Sequence, residues 1–128
     1  VNLLLDTHSF IWFIDDHPAL SSHARDLIAE PTHTIFLSIA SIWEMAIKVS
    51  LGKLELNQPF ELFLPYHLIR NNINILDIAI DHAMRVATLP FHHRDPFDRL
   101  IIAQSLIENI PIIGSDAVFD AYGVSRLW

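Results

Sequence analysis

Short apolar runs alternate with longer stretches of helical spacing along the chain. Residues 1–5 form a short apolar run that reads as a buried strand, with Asp6-Thr7 standing where it leaves the sheet. Ser9 can cap a helix carrying Phe10, Trp12, Phe13 and Ile14, which His17-Pro18 breaks. Ser21 or Ser22 caps a second short helix with Ala24, Leu27 and Ile28 inward, ending before Pro31. Thr34-Ile35-Phe36-Leu37-Ser38 is rich in β-formers and bounded by turn residues, which predicts a second strand. Ser41-Ile42-Trp43-Glu44 has capping-box spacing, so a helix is expected through Met45, Ile47 and Val49 to Gly52, with Glu44 in its first turn. Residues 60–69 predict a helix after Pro59, residues 73–78 a third strand, and Asp81 the cap of a short helix over 82–87.

The most explicit signals follow. In Asp95-Pro96-Phe97-Asp98, Asp95 caps free amides, Pro96 fits the first helical position and Asp98 lies three residues past the cap. The helix continues over 100–108 and stops at Asn109, which tolerates a left-handed cap, and Pro111, which cannot extend it. Residues 112–116 read as a buried strand ending on Asp116, residues 117–122 as a short helix, Gly123 as a turn and residues 124–127 as an edge strand. Strands alternating with helices imply an α/β fold, with a mainly parallel sheet of four to five strands and helices on both faces. No repeat or linker divides the chain, so residues 1–128 are expected to form one domain.

With 128 residues and 52% hydrophobic positions there is ample material for a core. Cysteine is absent, which removes disulfides and thiolate metal sites and fits a reducing cytoplasm. Leu3-Leu4-Leu5 is cut short by Asp6, and the apolar run from Phe10 by Asp15-Asp16, so no membrane association is expected. A net charge of -7 argues against a conventional basic nucleic-acid binder, since Lys and Arg normally supply most of that affinity. A nucleic-acid enzyme remains possible if bound cations add roughly +2 to +4 at the substrate phosphate.

Candidate chemistry rests on acids. In an open α/β sheet the crevice lies beyond the carboxyl ends of the strands, where succeeding helices begin. Asp6 and Asp116 occupy strand ends, and Glu44 and Asp98 first turns of helices, so all four face one rim. Packed carboxylates repel unless a cation intervenes, and oxygen-only ligands select Mg²⁺ or Mn²⁺. Each acid has a local role as well: Asp95, Asp98 and Glu44 fit helix starts, Asp116 a cap and Asp6 a cap. Those roles all place the groups on one edge, so convergence survives them. Lys48, four residues after Glu44, reads as a helix pair or a phosphate contact; Arg94 and Arg99 read as phosphate grips or acid partners. The eight His are scattered apart from His92-His93 and lack the i, i+4 pair of a zinc hydrolase, which disfavours a His-ligated metal. Trp12, Phe13, Phe60 and Phe63 read as core, with a partner groove as the other reading.

Leu4-Leu5-Asp6-Thr7-His8, Ser38-Ile39-Ala40-Ser41-Ile42-Trp43-Glu44, the run His93-Arg94-Asp95-Pro96-Phe97-Asp98-Arg99-Leu100-Ile101-Ile102-Ala103-Gln104, and Ser115-Asp116 together resemble the motifs of PIN domains. The likeness is to VapC-type toxins of toxin–antitoxin pairs and runs essentially end to end. It implies a three-layer α/β/α sandwich, Mg²⁺- or Mn²⁺-dependent cleavage of RNA, a homodimer and a cognate antitoxin whose tail covers the acidic cleft. The family's acids map onto Asp6, Glu44, Asp98 and Asp116, with Asp95 an added acid in the same turn and Ser115 placed to orient a ligand or water; Thr7, Arg99 and Lys48 would support or position substrate.

Two rivals come from other classes. A silent module that only pairs with an antitoxin would bind no metal at Asp6. A phosphorylation receiver needs paired acids after its first strand, an acceptor Asp after its third and a Lys after its fifth. Asp77 could be the acceptor, but Asp6 has no acidic neighbour and no Lys lies beyond Lys53.

Overall fold

Leu3, Leu4 and Leu5 are buried because β1 (Asn2–Leu5) is the central strand of a five-stranded sheet. The computed structural model describes residues 1–128. The other strands are β2 (Thr34–Ser38), β3 (Ile73–Leu76), β4 (Ile112–Ile113) and β5 (Arg126–Leu127). All neighbours pair in parallel, in the order β3-β2-β1-β4-β5. The chain steps outward from β1 to β3, then returns to lay β4 against the other side of β1. The order therefore reverses between β1 and β4, and that junction is where α/β sheets open a crevice.

Alternate strand residues feed two cores. Leu3, Leu5, Ile35, Leu37, Ile73 and Ile113 pack with residues of α1 (Thr7–Ile14), α2 (Ser22–Ala29) and α4 (Phe60–Arg70). Leu4 and Ile112 face the other way and meet α6 (Pro96–Glu108), with Val86 of α5 (Ile80–Val86) packed alongside. The expected three-layer sandwich is present, and its sheet is wholly parallel. Helix α3 (Ile39–Ser50) touches both cores, giving Met45 to the first and Ala40 to the second. Phe63 is buried in the first core, and Trp12, Phe13 and Phe60 pack partly buried against it.

Several boundaries differ from expectation. Asp6, not Ser9, caps α1: its side chain accepts from the Ser9 amide, and the Ser9 hydroxyl donates to Ile113 O at 3.0 Å. Ser38 caps α3 directly at the end of β2, so Ser41 lies inside the helix and Glu44 in its second turn, not its first. Asp81 does not cap α5. The Ala79 amide donates to His82 Nδ1 at 2.9 Å, while His82 Nε2 lies 2.9 Å from Glu108 Oε1, linking α5 to α6. The third strand ends at Leu76, short of residue 78, and β4 and β5 have two residues each. The segment Ala117–Tyr122 is a 3-10 helix.

Signals near α6 hold as read. Asp95 Oδ1 accepts from the amides of Phe97 and Asp98 at 2.9 and 3.0 Å, Pro96 opens the helix, and Asn109 closes it with φ 54. Buried Gln104 then ties the acid-bearing elements together: its Oε1 accepts from the Ser38 hydroxyl, and its Nε2 donates to Asp77 O at 3.2 Å.

Candidate active site

Asp6 leaves β1 at the chain reversal and is 5% exposed. Its Oδ1 accepts from the Ser9 amide at 2.8 Å. Its Oδ2 faces Gly114, and a Cβ built on Gly114 would lie 2.7 Å from that oxygen. The missing side chain at 114 is thus what leaves room for the carboxylate. Burial raises the Asp6 pKa above the ordinary carboxylate range, against the lowering effect of hydrogen bonds from Ser9.

Glu44 reaches the same rim from α3 and is also buried. Thr7 Oγ1 lies 2.7 Å from Glu44 Oε1 and 2.9 Å from Ser41 Oγ. A hydroxyl has one proton, so Thr7 donates to the carboxylate and accepts from Ser41. Lys48 Nζ takes the other oxygen, Oε2, at 2.9 Å. Thr7, Ser41 and Lys48 therefore set the orientation of Glu44.

Asp98 stands in the first turn of α6, and Asp116 caps the 3-10 helix through Val118 N at 3.0 Å. Between them lies His93, whose Nε2 is 3.1 Å from Asp98 Oδ2 and 3.0 Å from Asp116 Oδ2. Ligand atoms of His93, Asp98 and Asp116 all lie within 4.8 Å of one another. Asp6 and Glu44 stand outside that closest group yet within electrostatic reach. The Asp98 pKa is pushed up to about 8, first by burial and then by the charges of Asp95, Asp6, Glu44 and Asp116. One carboxyl thus registers acids from four separate segments.

The remaining candidates divide. Asp95 is a helix cap beside the cluster, and Ser115 is exposed next to Asp116. Arg99 is the exception to a substrate-positioning role. It is 5% exposed, and its guanidinium donates to the carbonyls of Val86, Leu89 and Pro90 and to the Tyr122 hydroxyl, at 2.8 to 3.3 Å. Those bonds fold the 86–93 segment over the start of α6 and leave the fork no face for a phosphate. Exposed Arg94 is not so committed.

Gly114 and His93 were missed by sequence reasoning. Nothing local marks Gly114, since its constraint comes from β4 lying beside β1. For His93 a signal existed in its two-residue spacing to Asp95, whose amide its ring accepts.

A hard divalent cation fits this donor set. The acids offer only oxygen, and their mutual repulsion around Asp98 is what such an ion would offset. The roomiest surface groove, about 580 Å³, is lined instead by Leu64, Leu68, Ile69 and residues of edge strand β3, away from the acids.

A sequence model of the family described as PIN domain matches residues 3–124. No curated protein gives a significant match. Among solved structures, a chain of VapBC2 from Rickettsia felis, bound to a DNA fragment from their promoter, aligns with TM-score 0.74 and 18% identity, over 99% of this chain and 98% of that one. A chain of DNA-bound VapBC from Salmonella typhimurium aligns with TM-score 0.71 and 16% identity, over 99% and 97%. One from FitAcB of Neisseria gonorrhoeae gives TM-score 0.67 and 21% identity, over 98% and 96%. At these identities the likeness is one of fold. No helix of the chain is long and apolar enough to cross a membrane.

Proposed function

The chain belongs to the PIN-domain family, and from that premise we propose that it is a Mg²⁺- or Mn²⁺-dependent endoribonuclease, the toxin of a toxin–antitoxin pair. The observation that carries the reading is geometric: Asp98 and Asp116 offer ligand atoms within 4.8 Å of one another beside His93, and Asp6 and Glu44 stand close enough to add their charge. A cation would offset the repulsion among these carboxylates, and a phosphodiester site is the use that fits oxygen-only donors.

Asp6, Glu44, Asp98 and Asp116 would hold the cation. When bound, such an ion supplies positive charge against the phosphate and makes nearby water more acidic. The protein's own contribution is orientation. Thr7 and Lys48 fix Glu44, Ser9 fixes Asp6, and Asp95 fixes the turn bearing Asp98. Ser115 stands beside Asp116, where it could orient a ligand or water, and exposed Arg94 is available to a flanking phosphate. With net charge -7, RNA attraction depends on the ion and these few cations.

The resemblance to VapC-type toxins, together with the fold shared with chains of VapBC and FitAcB, supports a cognate antitoxin as partner, and the same resemblance implies a homodimer as the working form. The proposal includes a cytoplasmic RNA substrate whose cleavage inhibits translation. The test is cleavage of RNA by purified protein freed of partner. Cleavage should require Mg²⁺ or Mn²⁺, stop on chelation, and vanish in Asp98→Asn with little loss of folding. Cleavage that persists under chelation, or full activity in Asp98→Asn, would overturn the reading.

A further inference from the structure

His93 is held at every polar position it has. Its backbone amide donates to the Tyr122 hydroxyl at 2.7 Å, and its ring packs against Phe119 with centroids 5.8 Å apart. Its Nδ1 accepts the Asp95 amide at 3.1 Å. A ring nitrogen that accepts an N–H carries no proton itself, so the imidazole hydrogen resides on Nε2. That hydrogen is donated to Asp116 Oδ2 at 3.0 Å, and Asp98 Oδ2 lies 3.1 Å from the same nitrogen.

The spacing of His93, Asp98 and Asp116 is that of a metal triad. The hydrogen bonding argues otherwise, because a protonated Nε2 has no lone pair to give. We propose that His93 is a positioning residue: its Nε2–H bonds Asp116 while the same nitrogen touches Asp98, and the held ring fixes their separation for a cation that it does not itself ligate. The inference rests on the reading that these acids hold a divalent ion. Asp98 belongs to α6 and Asp116 to the turn after β4, so no local backbone contact sets the separation of their carboxyl groups. The imidazole joins them while leaving each carboxylate further lone pairs for an ion. Tyr122 and the Asp95 amide in turn stop the ring from rotating. Outer partners of this kind characteristically set metal affinity.

Mn²⁺ is a suitable probe, because its paramagnetic resonance gives affinity and its pulsed spectrum reports any nitrogen bound directly to it. The full chain should bind Mn²⁺ without a directly coordinated nitrogen. His93→Leu, which removes the donor, should weaken Mn²⁺ binding about 10- to 100-fold. His93→Gln, which keeps an N–H at similar reach, should recover most of that loss. A directly bound nitrogen in the wild-type spectrum would overturn the proposal, as would unchanged affinity in His93→Leu. Equal weakening in both variants would overturn it as well. If His93→Leu fails to fold by circular dichroism, the wild-type spectrum and His93→Gln still decide. Absence of Mn²⁺ binding by the wild type would remove the proposed function and this inference together, whereas intact binding with an indifferent His93→Leu would remove only the inference.

Discussion

Gly114 lies so close to Asp6 that a Cβ on it would sit 2.7 Å from Asp6 Oδ2 and 3.2 Å from the carboxyl carbon. Real atoms do not share that space, so Gly114→Ala must displace either the carboxylate or the end of β4. Overpacking of this kind costs about 1–3 kcal/mol. Urea unfolding should show that loss, and Mn²⁺ titration should show weakened binding in the folded variant. An alanine variant as stable as the wild type, with equal Mn²⁺ affinity, would mean that Asp6 is not confined as described.

Asp98 makes stability depend on pH in a definite direction. Its pKa is about 8 in the folded protein against an ordinary 3.8, so the native state keeps a proton that the unfolded chain gives up near pH 4. The associated stability is fully present below the unfolded value and is lost as pH rises through the folded one. In metal-free protein, thermal melts of wild type and Asp98→Asn should therefore diverge between about pH 4 and about pH 8, with the variant gaining on the wild type, and run parallel above that range. A difference that ignores pH would contradict the raised pKa. Saturating Mn²⁺ should restore the wild type at high pH and not the variant.

Thr7 supplies the proton that orients Glu44 and accepts the one from Ser41. Thr7→Val keeps the shape and removes the hydroxyl. A buried carboxylate oxygen and a buried serine then lose their partner, at about 1–3 kcal/mol. Chemical denaturation measures this directly, and a variant of unchanged stability would show that the network is not structural.

Arg99 should behave as a scaffold residue. Arg99→Lys keeps the charge but cannot span the carbonyls of Val86, Leu89 and Pro90 together. Faster amide exchange over residues 86–95 and a lower melting temperature are expected. A phosphate-gripping arginine would instead raise KM for RNA with no change in exchange.

Much of this arrangement could be read from residue order, and the parts that could not have physical reasons. Asp95-Pro96 and Asn109 carry their boundaries in their own backbone preferences, so α6 is legible from sequence. Ser41-Ile42-Trp43-Glu44 misleads because Ser38 can cap too, and the end of β2 favours the earlier serine by delivering the chain straight into α3. The released Ser41 hydroxyl then serves Thr7, a contact across 34 residues that no local spacing predicts. That the acids share one rim was legible from strand ends and helix starts, although Glu44 reaches it from the second turn of α3. Gly114 and His93 were not, since their roles exist only once β4 lies beside β1 and the 3-10 helix closes over the turn before α6.

The central claim is that carboxylates from distant segments surround one kind of ion, and anomalous diffraction from crystals soaked in Mn²⁺ tests it most directly. A Mn²⁺ peak is expected among the Asp6, Glu44, Asp98 and Asp116 carboxylates. No peak there at saturating Mn²⁺, or a peak at another face of the molecule, would contradict it.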